Sequence, residues 1–368
     1  MRLAKKSLCA FVLLIIYIFS LSGYGSYPVS DGALECVALS CGSESKIEIS
    51  SRILKTLFSS GENGKKESEM LFLIPSGDAF GIKINEERPS VSAILKNTPL
   101  AVGDKILEID GVSIYSVKDA VGVVSDCGGK SLTVRILRGE KEEIFTLTPY
   151  LVDGKYTLGV EMRQSSVGIG TITYINPETH EFGGLGHGVC DAHGALVRGK
   201  TAIATSAVLT GVKRGESGKP GELCGTLGRG VLGEINLNCE CGVFGTICAS
   251  DVEGEAIPVG KREELRVGKA EIISTLKNGK KARYEIEICE IDHSSTGSKS
   301  FKIKVTDEAL IAISGGIVRG MSGSPIIQDG KLVGAVTHVL VANPTEGYGI
   351  FIENMLSAAS AGALPKAA

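Results

Sequence analysis

"GIVRGMSGSPIIQDGKLVGAVTHVLV", residues 316–341, decides how the chain is read. Gly320-Met321-Ser322-Gly323-Ser324-Pro325 sets a serine between glycines, which tolerate backbone conformations closed to other residues. Two alternating runs then flank Gln328-Asp329-Gly330, and an Asp-Gly pair between such runs is a strong hairpin signal. A serine on such a turn can be a plain approach to a hairpin. It can equally be a nucleophile whose turn gathers backbone N–H groups around a developing oxyanion. The second reading requires a base and an orienting acid elsewhere in the chain.

Outward from this stretch, residues 159–364 are glycine-punctuated β throughout, as in "SVGIGTITYI", "TAIATSAVLTGV", "YEIEICEI" and "SFKIKVTD". Many short strands at close turn spacing predict a closed barrel or sandwich, and no parallel βαβ rhythm is present. The 368 residues suffice for two domains with real cores. Hydrophobic content of 43%, charged content of 22% and 48 glycines fit a turn-rich globular β protein. With 39 basic against 42 acidic residues and no basic stripe, nucleic acid is not an expected partner.

Met1-Arg2-Leu3-Ala4-Lys5-Lys6 is a basic segment, and Leu8–Phe19 is an apolar run followed by small residues at Ser20-Leu21-Ser22. Residues 1–25 are therefore expected to be a signal peptide or a retained signal anchor, with the bulk of the chain exported across the cytoplasmic membrane. Residues 26–69 read as a linker or N-terminal segment, with one short helix over Ile47–Phe58. Ten cysteines in an exported chain permit disulfides, and Cys36 and Cys41 are close enough to pair. Cys224, Cys239, Cys241 and Cys248 match none of the paired CxxC spacings of structural zinc, so no metal or cofactor is expected.

Residues 70–150 have a texture of their own. "LFLIPSGDAFGIKI" reads as strand, turn, strand. "AVGDKILEIDGV" (101–112) leads into a helix with Ser116 and Asp119 as a weak capping box. "KSLTVRILRGEKEEIFTLTPY" reads as a hairpin. This order resembles a PDZ domain. Such domains bind extended peptides by adding them as a strand to a sheet edge. Ala79, Phe80, Gly81 and Ile82 stand where the carboxylate-binding loop would be.

The serine turn fits GxSGxP, the nucleophile turn of chymotrypsin-like proteases. Among the five histidines, His187 in "FGGLGHGVCD" stands between glycines after a strand-like run, a place for a general base at a barrel rim. His180 lies in the polar turn "NPETHEF", His193 in "DAHGALV", and His338 alternates within an apolar strand. For the acid, Asp307 closes "SFKIKVTD", while Asp191, Asp251 and Asp292 remain competitors, Asp251 better suiting an acid well before the serine. "GESGKPGE" lacks the upstream glycine and the Ser/Thr of a phosphate-binding loop. Cys190 lacks a turn of its own and reads as packing.

"FGGLGHGVCD", "KVTDEALIAISGGIVRGMSGSPIIQDGKLVGAVTHVLVANPTEGYGIFIENML" and the preceding PDZ-like module together resemble the stage IV sporulation protein B family of serine peptidases. The resemblance implies a mainly β chain, a PDZ domain (α+β) followed by a chymotrypsin-like double β-barrel peptidase domain over 158–365. It implies His187 as base, Asp307 as orienting acid and Ser322 as nucleophile, with Gly320 and Ser322 N–H groups at the oxyanion. His338 also lies in a motif typical of the family. Met321 stands where digestive relatives carry an aspartate that pairs with a new N-terminus, so activation by that ion pair is not available. The resemblance implies instead self-cleavage before Leu71 and regulation through the PDZ domain, whose ligand is a substrate tail or the enzyme's own segment. It further implies cleavage of a regulatory membrane protein between forespore and mother cell, releasing an intramembrane protease that activates a late sigma factor. The alternative is a catalytically silent PDZ adaptor for membrane partners.

Overall fold

The computed structural model describes residues 70–276 and 279–362. The expected export segment, the linker, the 47–58 helix and the Cys36/Cys41 pair lie outside the described residues. Among those described, no helix is long and apolar enough to cross a membrane.

Two six-stranded rings make the body. Strand β1 (Phe72–Pro75) leads into β2 (Ala79–Ile94), a strand of 16 residues. After β2 the chain forms β3 (Lys105–Ile109), β4 (Val112–Ser113), α1 (Val117–Asp126), β5 (Leu132–Arg138) and β6 (Lys141–Leu147). A small hairpin of β7 (Tyr150–Val152) and β8 (Lys155–Thr157) then precedes β9 (Val160–Ile175), again 16 residues long. Next come β10 (Glu181–Gly184), β11 (Gly199–Lys213), β12 (Glu222–Cys239) and β13 (Gly242–Ile247). The sheet runs β9-β10-β13-β12-β11-β2, and pairing of β2 with β9 closes it into the first barrel.

After β14 (Ile257–Pro258), the second barrel uses β15 (Gly268–Thr275), β16 (Lys281–Ile291) and β17 (Phe301–Val305). Helix α2 (Glu308–Ser314) separates these from β18 (Pro325–Gln328), β19 (Lys331–Leu340) and β20 (Asn343–Phe351). The ring closes as β15-β16-β17-β20-β19-β18. The hairpin between β18 and β19 turns at Asp329 and Gly330, both at positive φ (51° and 73°), as a turn matching strand twist requires. Helix α3 (Ile352–Gly362) ends the described chain, and its Ile352 and Met355 join Leu73, Tyr174, Phe244, Leu332 and Ile350 in an apolar cluster shared by both barrels.

The PDZ domain hangs from the first barrel by two continuous strands. Ala79–Asn85 pair with Thr171–Ser165 inside the barrel, while Ser90–Ile94 pair with Arg163–Val160 outside it. Between them the ladder breaks at Glu86–Pro89, and Pro89 has no N–H with which to continue it. Arg88 stitches the break, donating to the carbonyls of Leu107 and Ile114 and stacking over Tyr115 at 3.9 Å. The domain has its own core, in which Val91, Ile106, Ile109, Val124 and Ile136 meet Leu158 and Val160. Its helix opens as expected, Ser116 Oγ accepting from Asp119 N–H at 3.1 Å. The expected domain start at residue 70 is therefore displaced. Residues 79–85 are barrel strand, β1 pairs with β9 beside the ring, and the module lies within the first barrel's chain path.

Candidate active site

The site forms where the two barrels meet. Strand β10 ends at Gly184, and Leu185 and Gly186 follow in the left-handed region (φ 66° and 67°), turning the chain toward the second barrel just before His187. The approach is close. A Cβ on Gly186 would lie 2.8 Å from Thr337 Cγ2, and one on Gly323 would lie 2.0 Å from the Thr171 carbonyl oxygen. Glycine at both positions lets the His187 turn and the serine turn come together.

Ser322 Oγ donates to the Thr337 carbonyl at 2.8 Å. Gly320, at φ 97°, and Gly323, at φ 96°, bracket it. The Arg319 carbonyl is taken by Leu223 N–H (2.8 Å) and the Met321 carbonyl by Ser324 N–H (2.9 Å). In a trans peptide the N–H points opposite the C=O, so the Gly320 and Ser322 amides face away from these partners. Among the described residues neither amide has a protein acceptor. Met321 is fully buried in the second barrel's core, which accounts for an apolar residue there.

His187 Nδ1 lies 3.0 Å from the Gly188 carbonyl. A carbonyl can only accept, so this contact assigns the proton to Nδ1 and leaves Nε2 free as a base. Burial holds the ring's pKa below its ordinary value, with the Gly188 carbonyl opposing that shift. His338, level with this site on β19, stacks at a tilt on His187 with ring centroids 5.1 Å apart. Burial, then the His187 and Lys299 charges, push its pKa down to about 4, and its buried Nδ1 has no partner among the described residues.

Asp307 does not join this group. On β17 the residue in register with His338, through Tyr348, is Lys302. β17 ends at Val305, three residues past Lys302 and so about 10 Å along the strand, and Asp307 lies two residues beyond that end. Its carboxylate is used locally, accepting from Leu310 N–H (2.8 Å) as the N-cap of α2 and from Glu285 N–H (3.3 Å). The expectation of Asp307 as orienting acid is corrected accordingly. Among the described residues no carboxylate pairs with His187, and the Gly188 carbonyl holds the position. Of the competing acids, Asp191 pairs with Lys105, Asp292 caps its own turn at Ser294, and Asp251 closes the short turn Ala249–Asp251 after β13.

A second correction concerns Ala79–Ile82. These residues are in β2 within the first barrel, paired to β9 on one edge and to β11 on the other, with Phe80 fully buried against Phe182. With both edges used, no peptide strand can be added there. The open edge of the domain is Val160–Arg163, which pairs with β2 on one side and with no described strand on the other. Helix α1 packs on β8, β9 and β3 beside it, presenting Val121, 49% exposed. The sequence signal was "TLGVEM" (157–162), an apolar-Gly-apolar run after the β7–β8 hairpin with Gly159 at φ 75°.

The seven described cysteines carry no disulfide. Two barrels with a histidine turn and a serine turn at their junction, and a PDZ domain attached, define a serine peptidase of the chymotrypsin-like architecture. The sequence profile of the SpoIVB peptidase S55 family matches residues 154–356, over half of the chain, and the chain belongs to that family. No curated protein matches it. Among solved structures it is similar to the PDZ domain of the SdrC-like protein from Listeria monocytogenes (21% identity, 22% of this chain and 90% of that one, TM-score 0.20). It is also similar to the active form of the Rv3671c protease from M. tuberculosis (12% identity, 55% and 76% covered, TM-score 0.31). A third is the HtrA-type protease AlgW with a decapeptide (11% identity, 78% and 65% covered, TM-score 0.32).

Proposed function

We propose that the chain is an exported, self-cleaving signalling endopeptidase of sporulation, working in the space between forespore and mother cell. Its family membership supports the cellular setting. The observation that carries the chemistry is the Ser322 turn, with two amides that have no protein acceptor among the described residues, beside a histidine whose proton sits on Nδ1.

In this reading Ser322 Oγ leaves the Thr337 carbonyl by rotation about χ1 and gives its proton to His187 Nε2. The oxygen attacks a peptide carbonyl, and the Gly320 and Ser322 N–H groups hold the oxyanion. The imidazolium then protonates the leaving amine, and water hydrolyses the acyl-enzyme. Gly188 C=O keeps Nδ1 protonated throughout. A peptide ligand lies along Val160–Arg163 under α1, raising local substrate concentration or gating the enzyme. The substrate is a regulatory membrane protein that restrains an intramembrane protease, and its cleavage leads to activation of a late sigma factor.

The test compares full-length wild type and Ser322→Ala in detergent for self-cleavage and fluorophosphonate labelling. Label and self-cleavage in wild type alone support the peptidase. Absence of both in each protein favours the silent adaptor. A Ser322→Ala allele in a spore-forming host should block late mother-cell gene expression. Normal expression would sink the signalling role and leave the peptidase standing.

A further inference from the structure

We infer that Thr171 is a positioning residue that sets the geometry of the oxyanion donors. It sits in the barrel half of β9, fully buried, and bonds to both catalytic turns. Its N–H donates to the Ser322 carbonyl at 2.9 Å, and its Oγ1 donates to the Gly320 carbonyl at 2.9 Å. Its own carbonyl accepts from Leu185 N–H at 3.2 Å, two residues before His187.

Only the hydroxyl contact depends on the side chain, and it falls at the sensitive point. The Gly320 and Ser322 N–H groups are separated by four backbone torsions, φ and ψ of Gly320 and of Met321. The peptide plane between Gly320 and Met321 lies in the middle of that path. Glycine at φ 97° imposes little steric preference of its own, so the plane must be fixed from outside. On one side Met321 N–H donates to the Val318 carbonyl (3.1 Å); on the other, Thr171 Oγ1 holds the Gly320 carbonyl. Thr173, two residues on and so on the same face of β9, holds the Gly323 carbonyl at 2.8 Å. The two threonines clasp the turn on both sides of Ser322. Thr171 Oγ1 thus acts on the oxyanion through Gly320, without touching substrate.

This rests on Ser322 being the nucleophile, and the test separates the two ideas. Fluorophosphonate inactivation of the full-length protein gives a maximal rate, kinact, and an apparent affinity, KI, and phosphonylation builds negative charge where the oxyanion donors lie. Thr171→Val keeps shape and removes the hydroxyl; Thr171→Ser keeps the hydroxyl and removes a methyl. Thr171→Val is expected to lower kinact at least about tenfold with KI within about threefold, since loss of a single oxyanion donor costs about 100- to 1,000-fold. Thr171→Ser is expected to restore most of kinact. An unchanged kinact in Thr171→Val, with wild type labelling normally, overturns the inference alone, as does an equal loss in Thr171→Ser. Failure of wild type to label at Ser322 overturns the reading beneath it. Thermal unfolding of each variant confirms that a folded protein is being compared.

Discussion

Ser322 Oγ and the carbonyl oxygen of Thr337 are 2.8 Å apart, so the nucleophile is parked on a backbone acceptor of β19. The histidine beside it is oriented by its own neighbour, Gly188, where a carboxylate was expected. A carbonyl fixes the tautomer as a carboxylate does, but it stabilises imidazolium less, because it carries only a partial charge.

Asp307 should matter to stability before catalysis. Asp307→Ala is expected to cost about 1 kcal/mol in urea unfolding, the usual value of an N-cap, and Asp307→Asn far less. Both should keep fluorophosphonate labelling within a few-fold of wild type. A loss of several thousand-fold in Asp307→Asn, at unchanged stability, would restore the acid role.

The pH profile of labelling should have its acid limb below pH 6.5. His187 must be neutral to accept a proton, and burial lowers its pKa from that ordinary value. The rate therefore stays level as pH falls to about 6.5 and drops only below it. An acid limb above 7 would point to a carboxylate partner that raises the pKa.

His338 sets a stability window. Its pKa is 6.5 when unfolded and about 4 when folded, so between these values the unfolded chain binds more protons. Stability contributed by the neutral ring is intact above pH 6.5, declines as pH falls, and is lost near pH 4. His338→Gln should flatten this part of the unfolding profile; an unchanged profile would assign the acid sensitivity elsewhere.

Gly323→Ala should destabilise by about 2–3 kcal/mol, combining a disfavoured φ of 96° with a Cβ 2.0 Å from the Thr171 oxygen. Urea denaturation measures it. A loss under 1 kcal/mol would mean that the two turns can part without cost.

Peptide binding should register on β9. With a heptapeptide ending in valine as probe, hydrogen exchange is expected to slow at residues 160–163. It should not change at 79–82, whose amides are locked in the barrel before any peptide arrives. The reverse pattern would reinstate Ala79–Ile82 as the binding loop.

Local chemistry was legible in the sequence where a few adjacent residues determine the outcome. The Asp329-Gly330 turn, the Ser116 cap and the glycines of the serine turn are all of this kind. The acid role of Asp307 rests on the family resemblance alone, since spacing leaves Asp191, Asp251 and Asp292 open beside it, and "VTDEAL" carries a different local signal. The strand ends at Val305, and Asp followed by Glu-Ala-Leu is an N-cap signature. The two long strands were illegible for a different reason. Glu86–Pro89 marks a break within "AFGIKINEERPSVSAI", but not that its two halves serve different cores, because the partner that both halves share, β9, lies some 80 residues away. The Leu158–Val160 edge was masked by the same long-range pairing.

Suspending the PDZ domain between β2 and β9 also favours an order of assembly. The barrel ladder joins Asn85 to Ser165, and those residues meet only when the intervening chain has brought its ends together. Closing so long a loop as unstructured chain is entropically costly and slow. Once the inserted domain has folded, its own β2–β9 pairing from Ser90 to Ile94 presents the two strands already side by side. The first barrel can then zip from that junction, making the insertion a splint for the enzyme's folding. Excising it at the strand boundaries would leave Asn85 and Ser165, neighbours in the finished ladder, as ends of two separate pieces; unless a short turn joined them, the barrel would have to assemble from both.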